Sequence, residues 1–366
     1  MNSIFKHSWK FIGILLLAYV FSMIILVPLG PGLEEAEIVK NESGELVMKV
    51  KGFNTHYSTE EQDIADTGKA TRAFLRESGG KARLIEAKSI TIESSEVVVI
   101  QWDLPDTLPV KSWGLFINSH IDGTLWMPNV LFHEPVVLGE STDNNSFSDE
   151  LLIESLNEKT LGFHFPNQPR IVESIRNLML HVPMWFTMFL LMGISVYNSI
   201  ASLSRSGGQS QLRNDLRAES AVKIGLLFGI LGLITGSFWA RFTWGAWWVD
   251  DPQLNGAMVT VLVYLGYTTL RSTIKDDELR MKMSAVYNIF AFVILFVLLM
   301  ILPKYTESLH PGKGGNPAFS KYDLDSALRL AFYPAVVGWM LLGTWMYLLS
   351  LRFERVKRKI TSKLEH

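Results

Sequence analysis

No cysteine occurs among the 366 residues, and that absence removes several chemistries at once. A disulfide framework, a thiolate metal site and a thioether-anchored prosthetic group are all excluded. Charge of one sign is lacking too, since the formal net charge is only −2; no nucleic-acid partner is expected. No internal repeat stands out. What the chain does hold is long apolar runs, enough for a membrane bundle plus one water-soluble domain.

The first run, residues 11–29, is long enough to cross a bilayer, which takes roughly 20 residues. Lys6 and Lys10 precede it. It ends in Val27-Pro28-Leu29-Gly30-Pro31 without a small-x-small cleavage site, so a retained span is expected rather than a cleaved signal. Residues 32–174 then change character, with roughly two acidic residues for each basic one. Alternation over 45–53 (Leu46, Met48, Val50), 87–92 and 97–102 predicts strands, and 113–117 and 160–165 read the same way. Ser58 and Glu61 form a capping box at the start of a helix predicted near 59–76. A small β-sandwich carrying one helix is the expectation here.

Further apolar runs lie at 178–200, 222–239, 257–270, 285–302 and 327–349, which makes six predicted spans. Arg205, Arg213 and Arg217 lie between spans two and three, and Arg271, Lys275, Arg280 and Lys282 between four and five. The tail carries Arg352, Arg355, Lys357, Arg358 and Lys359. By the positive-inside rule these segments and the N-terminus are cytoplasmic. The expected fold class is an integral-membrane all-α bundle of six transmembrane helices, with an inserted extracytoplasmic, mostly-β, sandwich-like domain between helices 1 and 2. The predicted division is 1–30 for the first transmembrane helix, 31–176 for the inserted domain, 177–352 for a five-helix membrane domain and 353–366 for a basic cytoplasmic tail.

Between spans three and four stands Trp244-Gly245-Ala246-Trp247-Trp248-Val249-Asp250-Asp251-Pro252. Tryptophans gather at membrane–water interfaces as an amphipathic belt, and that is one reading. A cluster this dense, with Gly245 inside it and two carboxylates at its exit, also fits an aromatic platform for a large planar ligand. Of the eight histidines, His7 is cytoplasmic, His366 is terminal, and His56, His120, His133 and His164 belong to the inserted domain. His181, one turn inside the outer end of span two, and His310, in the loop after span five, share the level of the tryptophans. Each alone reads as a helix-end or loop histidine. Together they suit haem iron, which two neutral imidazoles bind from opposite faces. The macrocycle would lie against Trp244, Trp247 and Trp248. Arg241 either pairs with a propionate or snorkels as an interfacial anchor. Asp251 is expected to accept backbone N–H groups and fix the loop, with Pro252 starting the next helix; Asp250 is expected to be solvated.

The tryptophan stretch resembles the signature of the haem-handling superfamily of cytochrome c biogenesis proteins. His181-Val182-Pro183 opening span two, Leu309-His310 in the last outer loop, and the span count and orientation are most similar to the cytochrome c maturation protein C family. The resemblance covers residues 178–349 plus span one. It departs at Asp250, where the family usually has an aromatic, and at the inserted domain, where the family has a short loop. What the resemblance implies is a protein of the bacterial inner membrane with its inserted domain periplasmic. It would hold non-covalent haem b at the periplasmic face, with His181 and His310 as axial ligands and Trp244, Gly245, Trp247, Trp248, Asp251 and Arg241 around it. Its partners would be a membrane-anchored periplasmic haem chaperone, ABC-type transporter subunits of the maturation system, and membrane lipid.

Haem handling without catalysis is the function so expected. The alternative is a component of a cytochrome c synthase that directs covalent haem attachment, which Asp251-Pro252 favours. A quinol-oxidising cytochrome b needs histidine pairs at depth in the bundle, and the spans supply none. The acidic domain either docks the chaperone, covers the haem edge, or is a structural insertion only.

Overall fold

The computed structural model describes residues 7–42, 45–57, 71–77, 84–103, 113–119, 121–131, 164–165, 167, 172–204, 208–306, 308–310 and 326–364. It divides into two compact units, one of Met1–Leu26 with Arg176–His366 and one of Val27–Ile175.

The second unit is mainly strand among its described residues, with a short 3-10 turn entering its end at Val172–Asn177. β1 (Gly32–Glu42), β2 (Glu45–Phe53), β6 (Val97–Asp103) and β5 (Ser89–Ser94) make one antiparallel sheet in the order β1-β2-β6-β5, and β4 (Leu84–Glu86), β3 (Arg72–Glu77), β7 (Trp113–Ser119) and β8 (Gly123–Leu131) make another in the order β4-β3-β7-β8. Alternation dictates the packing: Leu46, Met48 and Val50 on β2 and Val98, Ile100 and Trp102 on β6 share one core with Leu75 on β3 and Trp113, Leu115 and Ile117 on β7. Two sheets meeting over one core is the expected sandwich. The helix predicted near 59–76 is corrected at its end, since Arg72–Glu77 is strand β3; its start, with Ser58 and Glu61, lies outside the described residues. The misreading has a physical cause. β3 is apolar on both faces, with Ala73 and Leu75 in the main core and Phe74 in a second cluster with Leu84 and Phe116, so no period of two shows. The strand predicted at 160–165 is described only at its end, where Phe165 bridges Leu29 in parallel.

The other unit holds α1 (Ser8–Leu26), α2 (Leu178–Leu203), α3 (Gly208–Trp244), α4 (Pro252–Thr273), α5 (Asp277–Phe296) and α6 (Ser326–Leu364). Helices over Ser8–Leu26, Glu173–Leu203, Gly208–Trp244, Asp277–Lys304 and Leu328–Thr361 are long and apolar enough to cross a membrane, which makes the chain a multi-pass membrane protein. α4 is not among those five. Its 22 residues rise about 33 Å at the usual 1.5 Å per residue, but Gln253, Asn255 and four threonines dilute its hydropathy.

α2 and α3 form an antiparallel pair whose seam is written in glycine. A Cβ on Gly225, Gly229, Gly232 or Gly236 of α3 would stand 2.9 Å or less from Met192, Met188, Trp185 or His181 of α2 in turn. The four pairings run in strict antiparallel register, four, three and four residues apart on each helix. Small residues of this kind let helix backbones approach closely where lipid offers no hydrophobic drive. α1 packs on α6 by the same device, Gly13 facing Leu341 and Gly338 facing Leu17.

Near the start of α3 the bundle holds charge. Arg271 of α4 donates to both carboxylate oxygens of Asp215, at 2.8 and 2.5 Å, and to Glu219 at 2.9 Å. Lys223 continues the chain to Glu219 at 2.8 Å and to Glu354 of α6 at 2.6 Å. Asp215, Glu219 and Lys223 sit one turn apart along one face of α3. The Asp215–Arg271 pair is buried, so removing one partner strands the other. Arg271→Met should therefore destabilise the bundle by roughly 3–5 kcal/mol, whereas the double change Asp215→Leu/Arg271→Met should recover most of that loss. Thermal unfolding of the two variants in detergent checks this; equal melting temperatures would contradict it.

Candidate functional site

Every candidate residue belongs to the helical unit. His181 is in the first turn of α2. Its Nδ1 lies 3.0 Å from the carbonyl of Gly232 and 3.3 Å from Thr235 Oγ1. A carbonyl only accepts, so Nδ1 carries the proton and Nε2 keeps a lone pair in the neutral ring. Trp185, one turn on, meets the imidazole edge-on at 6.5 Å, and Trp239 of α3 does so at 5.8 Å. Pro183 has no N–H for the carbonyl of Met179; the indole of Trp339 on α6 donates to it instead at 3.2 Å. Asn177 donates to the carbonyl of Thr235 at 2.8 Å. The histidine turn is thus fastened to two neighbouring helices.

α3 ends at Trp244, and Gly245 follows with φ +79°, the left-handed conformation in which glycine closes helices. The loop then folds back on the last turns of α3. Arg241 donates to the carbonyl of Gly245, Ser237 donates to the carbonyl of Trp247 at 2.8 Å, and Phe238 meets the Trp247 ring edge-on at 5.3 Å. Trp247 is 55% exposed and Trp248 37%, so neither indole is consumed by the protein's own packing. Asn255, in the first turn of α4, accepts from the Trp248 indole at 3.2 Å and donates to Asp250 at 2.8 Å. Asp250 is exposed, as expected, and accepts this one bond as well.

Asp251 does what Asp-Pro predicts and more. It caps α4, Oδ1 accepting from the amides of Gln253 at 2.9 Å and Leu254 at 3.1 Å, with Pro252 in the first turn. Oδ2 accepts from the amide of Leu309 at 2.7 Å, which draws the 308–310 segment onto the loop. The side chain is 1% exposed. Burial alone would raise this carboxyl; the amides of Leu309 and Leu254 and the Ser308 hydroxyl outweigh it and hold it below the usual carboxylate range.

His310 follows at once. Its ring meets Trp244 edge-on at 5.4 Å, and its Nδ1 stands 3.4 Å from Asp251 Oδ1, outside hydrogen-bonding geometry. Among the described residues, no hydrogen bond engages Nε2 of His181 or of His310. The structure therefore brings His181, Arg241, Trp244, Gly245, Trp247, Trp248, Asp251 and His310 to one end of α3. Trp239 and Trp244, the ring partners of the two histidines, are separated by about 7.5 Å of helix rise. Sequence reasoning missed Trp185, Trp239, Asn255 and the Gly232–Gly236 turn. One signal was available: Trp185 is four residues from His181, on the same helix face.

Burial pushes the His310 imidazole below its ordinary value, against the pull of Asp251. An unfolded histidine titrates near 6.5, so on acidification the unfolded chain takes up this proton first. The contribution of His310 is whole above about pH 6.5 and is lost as pH falls through the depressed value. With no ligand added, stability should fall from pH 7.5 to pH 5, and His310→Asn should flatten that slope. Chemical unfolding at a series of pH values measures it; a slope unchanged in the variant would refute the assignment.

Residues 152–366 match the family model described as heme exporter protein C. Among curated relatives, the heme exporter protein C of Paracoccus denitrificans (strain Pd 1222) is 24% identical over 203 residues, covering 56% of this chain and 82% of that protein. That of Haemophilus influenzae is 28% identical over 185 residues, covering 50% of this chain and 72% of that protein. That of Escherichia coli (strain K12) is 27% identical over 194 residues, covering 52% and 75%.

Proposed function

The chain belongs to the heme exporter protein C family, and on that premise we propose that it holds haem at the tryptophan loop and passes it on for cytochrome c maturation. Haem is cargo here, not a resident cofactor. The observation that carries the reading is the state of the two histidines. His181 Nδ1 bonds the Gly232 carbonyl, His310 Nδ1 faces Asp251 Oδ1 at 3.4 Å without a hydrogen bond, and among the described residues neither Nε2 has a partner. An imidazole whose other nitrogen is fixed by a carbonyl, as in His181, is the usual form of an iron ligand.

In this reading His181 and His310 would hold the haem iron through Nε2, and the indoles of Trp244, Trp247 and Trp248 would supply apolar and edge contacts to the porphyrin. Gly245 turns the chain so that those indoles follow directly on α3. Asp251 is a positioning residue, because its oxygens are committed to backbone amides and to the His310 side. Arg241 uses one donor on Gly245 and keeps others for a propionate. The cargo is non-covalent haem b, since the chain has no thiol to link it. The recipient is a membrane-anchored periplasmic haem chaperone, with ABC-type transporter subunits completing the assembly.

The orientation proposed is that of a bacterial inner-membrane protein with six spans, α4 included, and both termini cytoplasmic. It rests on the basic residues of the 205–217, 271–282 and 352–359 segments. Residues 31–176 are then a periplasmic insertion, 177–352 the haem-handling part and 353–366 a cytoplasmic tail. The synthase alternative loses its motive, because Asp251-Pro252 is accounted for by the cap of α4 and the bond to Leu309.

Purified protein supplied with haem should show a Soret band. His181→Ala and His310→Ala should each abolish or shift it, and Trp247→Ala should weaken haem retention by up to about tenfold, the scale of one lost aromatic contact. A missing band in the parent, or an unchanged band in both histidine variants, refutes the proposal. Removing residues 34–169 should leave that band in place, because every candidate ligand lies in the helical unit. Loss of the band in a well-folded deletion would show that the insertion contributes to the site.

A further inference from the structure

At the far end of α3 lies a second site that haem handling does not use. A half-open cavity of about 470 Å³ is lined by Arg217 of α3, Arg352 and Arg355 of α6, Tyr197 of α2, and Tyr347 and Leu351 of α6. Among the described residues, no ion pair involves any of the three arginines. The nearest carboxylates in sequence are committed elsewhere, Glu354 to Lys223 and Asp215 and Glu219 to Arg271. Arg217 of α3 and Arg355 of α6 line the same space beside Tyr347, so two helices bring positive charge to one cavity. Arg217 is half-buried and Arg352 and Arg355 are exposed; three guanidinium groups lining one space without counter-charge make a site that suits an anion from outside.

The depth of the cavity identifies its source. From Arg217 to Trp244 a straight α3 rises about 40 Å, close to the full thickness of a bilayer with its headgroups, about 40–45 Å. With the tryptophan loop at one interface, the cavity stands at the headgroup level of the other. On the bilayer side of the arginines, Tyr197 is 73% exposed and Leu349 49%, an apolar surface along which acyl chains would run. The tyrosine and leucine walls suit the glycerol region beneath a phosphate.

We propose that this cavity binds the phosphate of an anionic glycerophospholipid, with Arg217, Arg352 and Arg355 as the recognising groups. Basic pockets between membrane helices take such headgroups, and each cationic side chain near them is worth roughly a factor of five. The leaflet is cytoplasmic in the orientation proposed above; the binding itself does not depend on haem or on that orientation.

The test uses delipidated full-length protein with short-chain phosphatidylglycerol, short-chain phosphatidylcholine and inorganic phosphate as separate probes, read by thermal shift and native mass spectrometry. Phosphatidylglycerol should bind in preference to phosphatidylcholine, and Arg217→Gln/Arg352→Gln/Arg355→Gln should weaken it on the order of a hundredfold. The Arg→Lys triple variant keeps the charge and controls for folding; it should retain most of the binding. Lys357→Gln/Arg358→Gln, which removes charge just outside the cavity, should leave binding unchanged. Competition by inorganic phosphate would support recognition of the phosphate and extend it to the free ion. Equal binding of the two lipids, or an equal loss from the tail variant, would overturn the proposal.

Discussion

A carboxylate taken out of water must be given donors, and the way Asp251 finds them organises one end of the helical bundle. Its own helix supplies two amides and the chain 58 residues downstream supplies a third. The bond to Leu309 does more than satisfy an oxygen. It fixes the backbone immediately before His310, so the imidazole has to stand beside Trp244. Three stretches that share no sequence neighbourhood, the end of α3, the cap of α4 and the segment after α5, are held as one constellation by a single buried side chain. A merely interfacial tryptophan belt would need none of this.

The opposite wall is fixed by backbone contact. The glycines of α3 admit Met192, Met188, Trp185 and His181 in register, so the last notch of the seam receives an imidazole where the earlier ones receive apolar side chains. The Gly232 carbonyl is thereby within reach of Nδ1. The helix interface and the orientation of the ring are therefore one fact. Any side chain at Gly236 would push His181 away, because its Cβ alone would come within 2.7 Å of the ring.

Some of this could be read from residues alone and some could not. Asp251 before Pro252 declares a helix cap, because that signal is local. The strand Glu45–Phe53 was legible because one face is buried and the other wet. β3 was not, since both its faces are covered. Nothing near Asp251 marks Leu309 as its partner, and nothing near Pro183 marks Trp339 as the donor that replaces its missing N–H. Such pairings are set by how helices cross, which one sequence does not encode in any window. The bond that exposed Asp250 accepts was hidden for the same reason: its partner, Asn255, becomes a neighbour only once α4 has formed.

The insertion between α1 and α2 poses a last constraint, because a domain placed there could pull the two helices apart. Its own ends prevent that. Gly30 donates to the carbonyl of Phe165 at 2.7 Å and Phe165 donates to that of Pro28 at 2.8 Å, so the chain leaves and returns at one place, as tolerated insertions do. Within the helical unit Arg176 donates to the carbonyl of Ile24 at 2.7 Å, joining the end of α1 to the approach of α2. Each unit thus closes its own boundary with its own hydrogen bonds. A domain held this way leaves the turn that carries His181 to the helical unit, within which most of the family match, residues 152–366, falls.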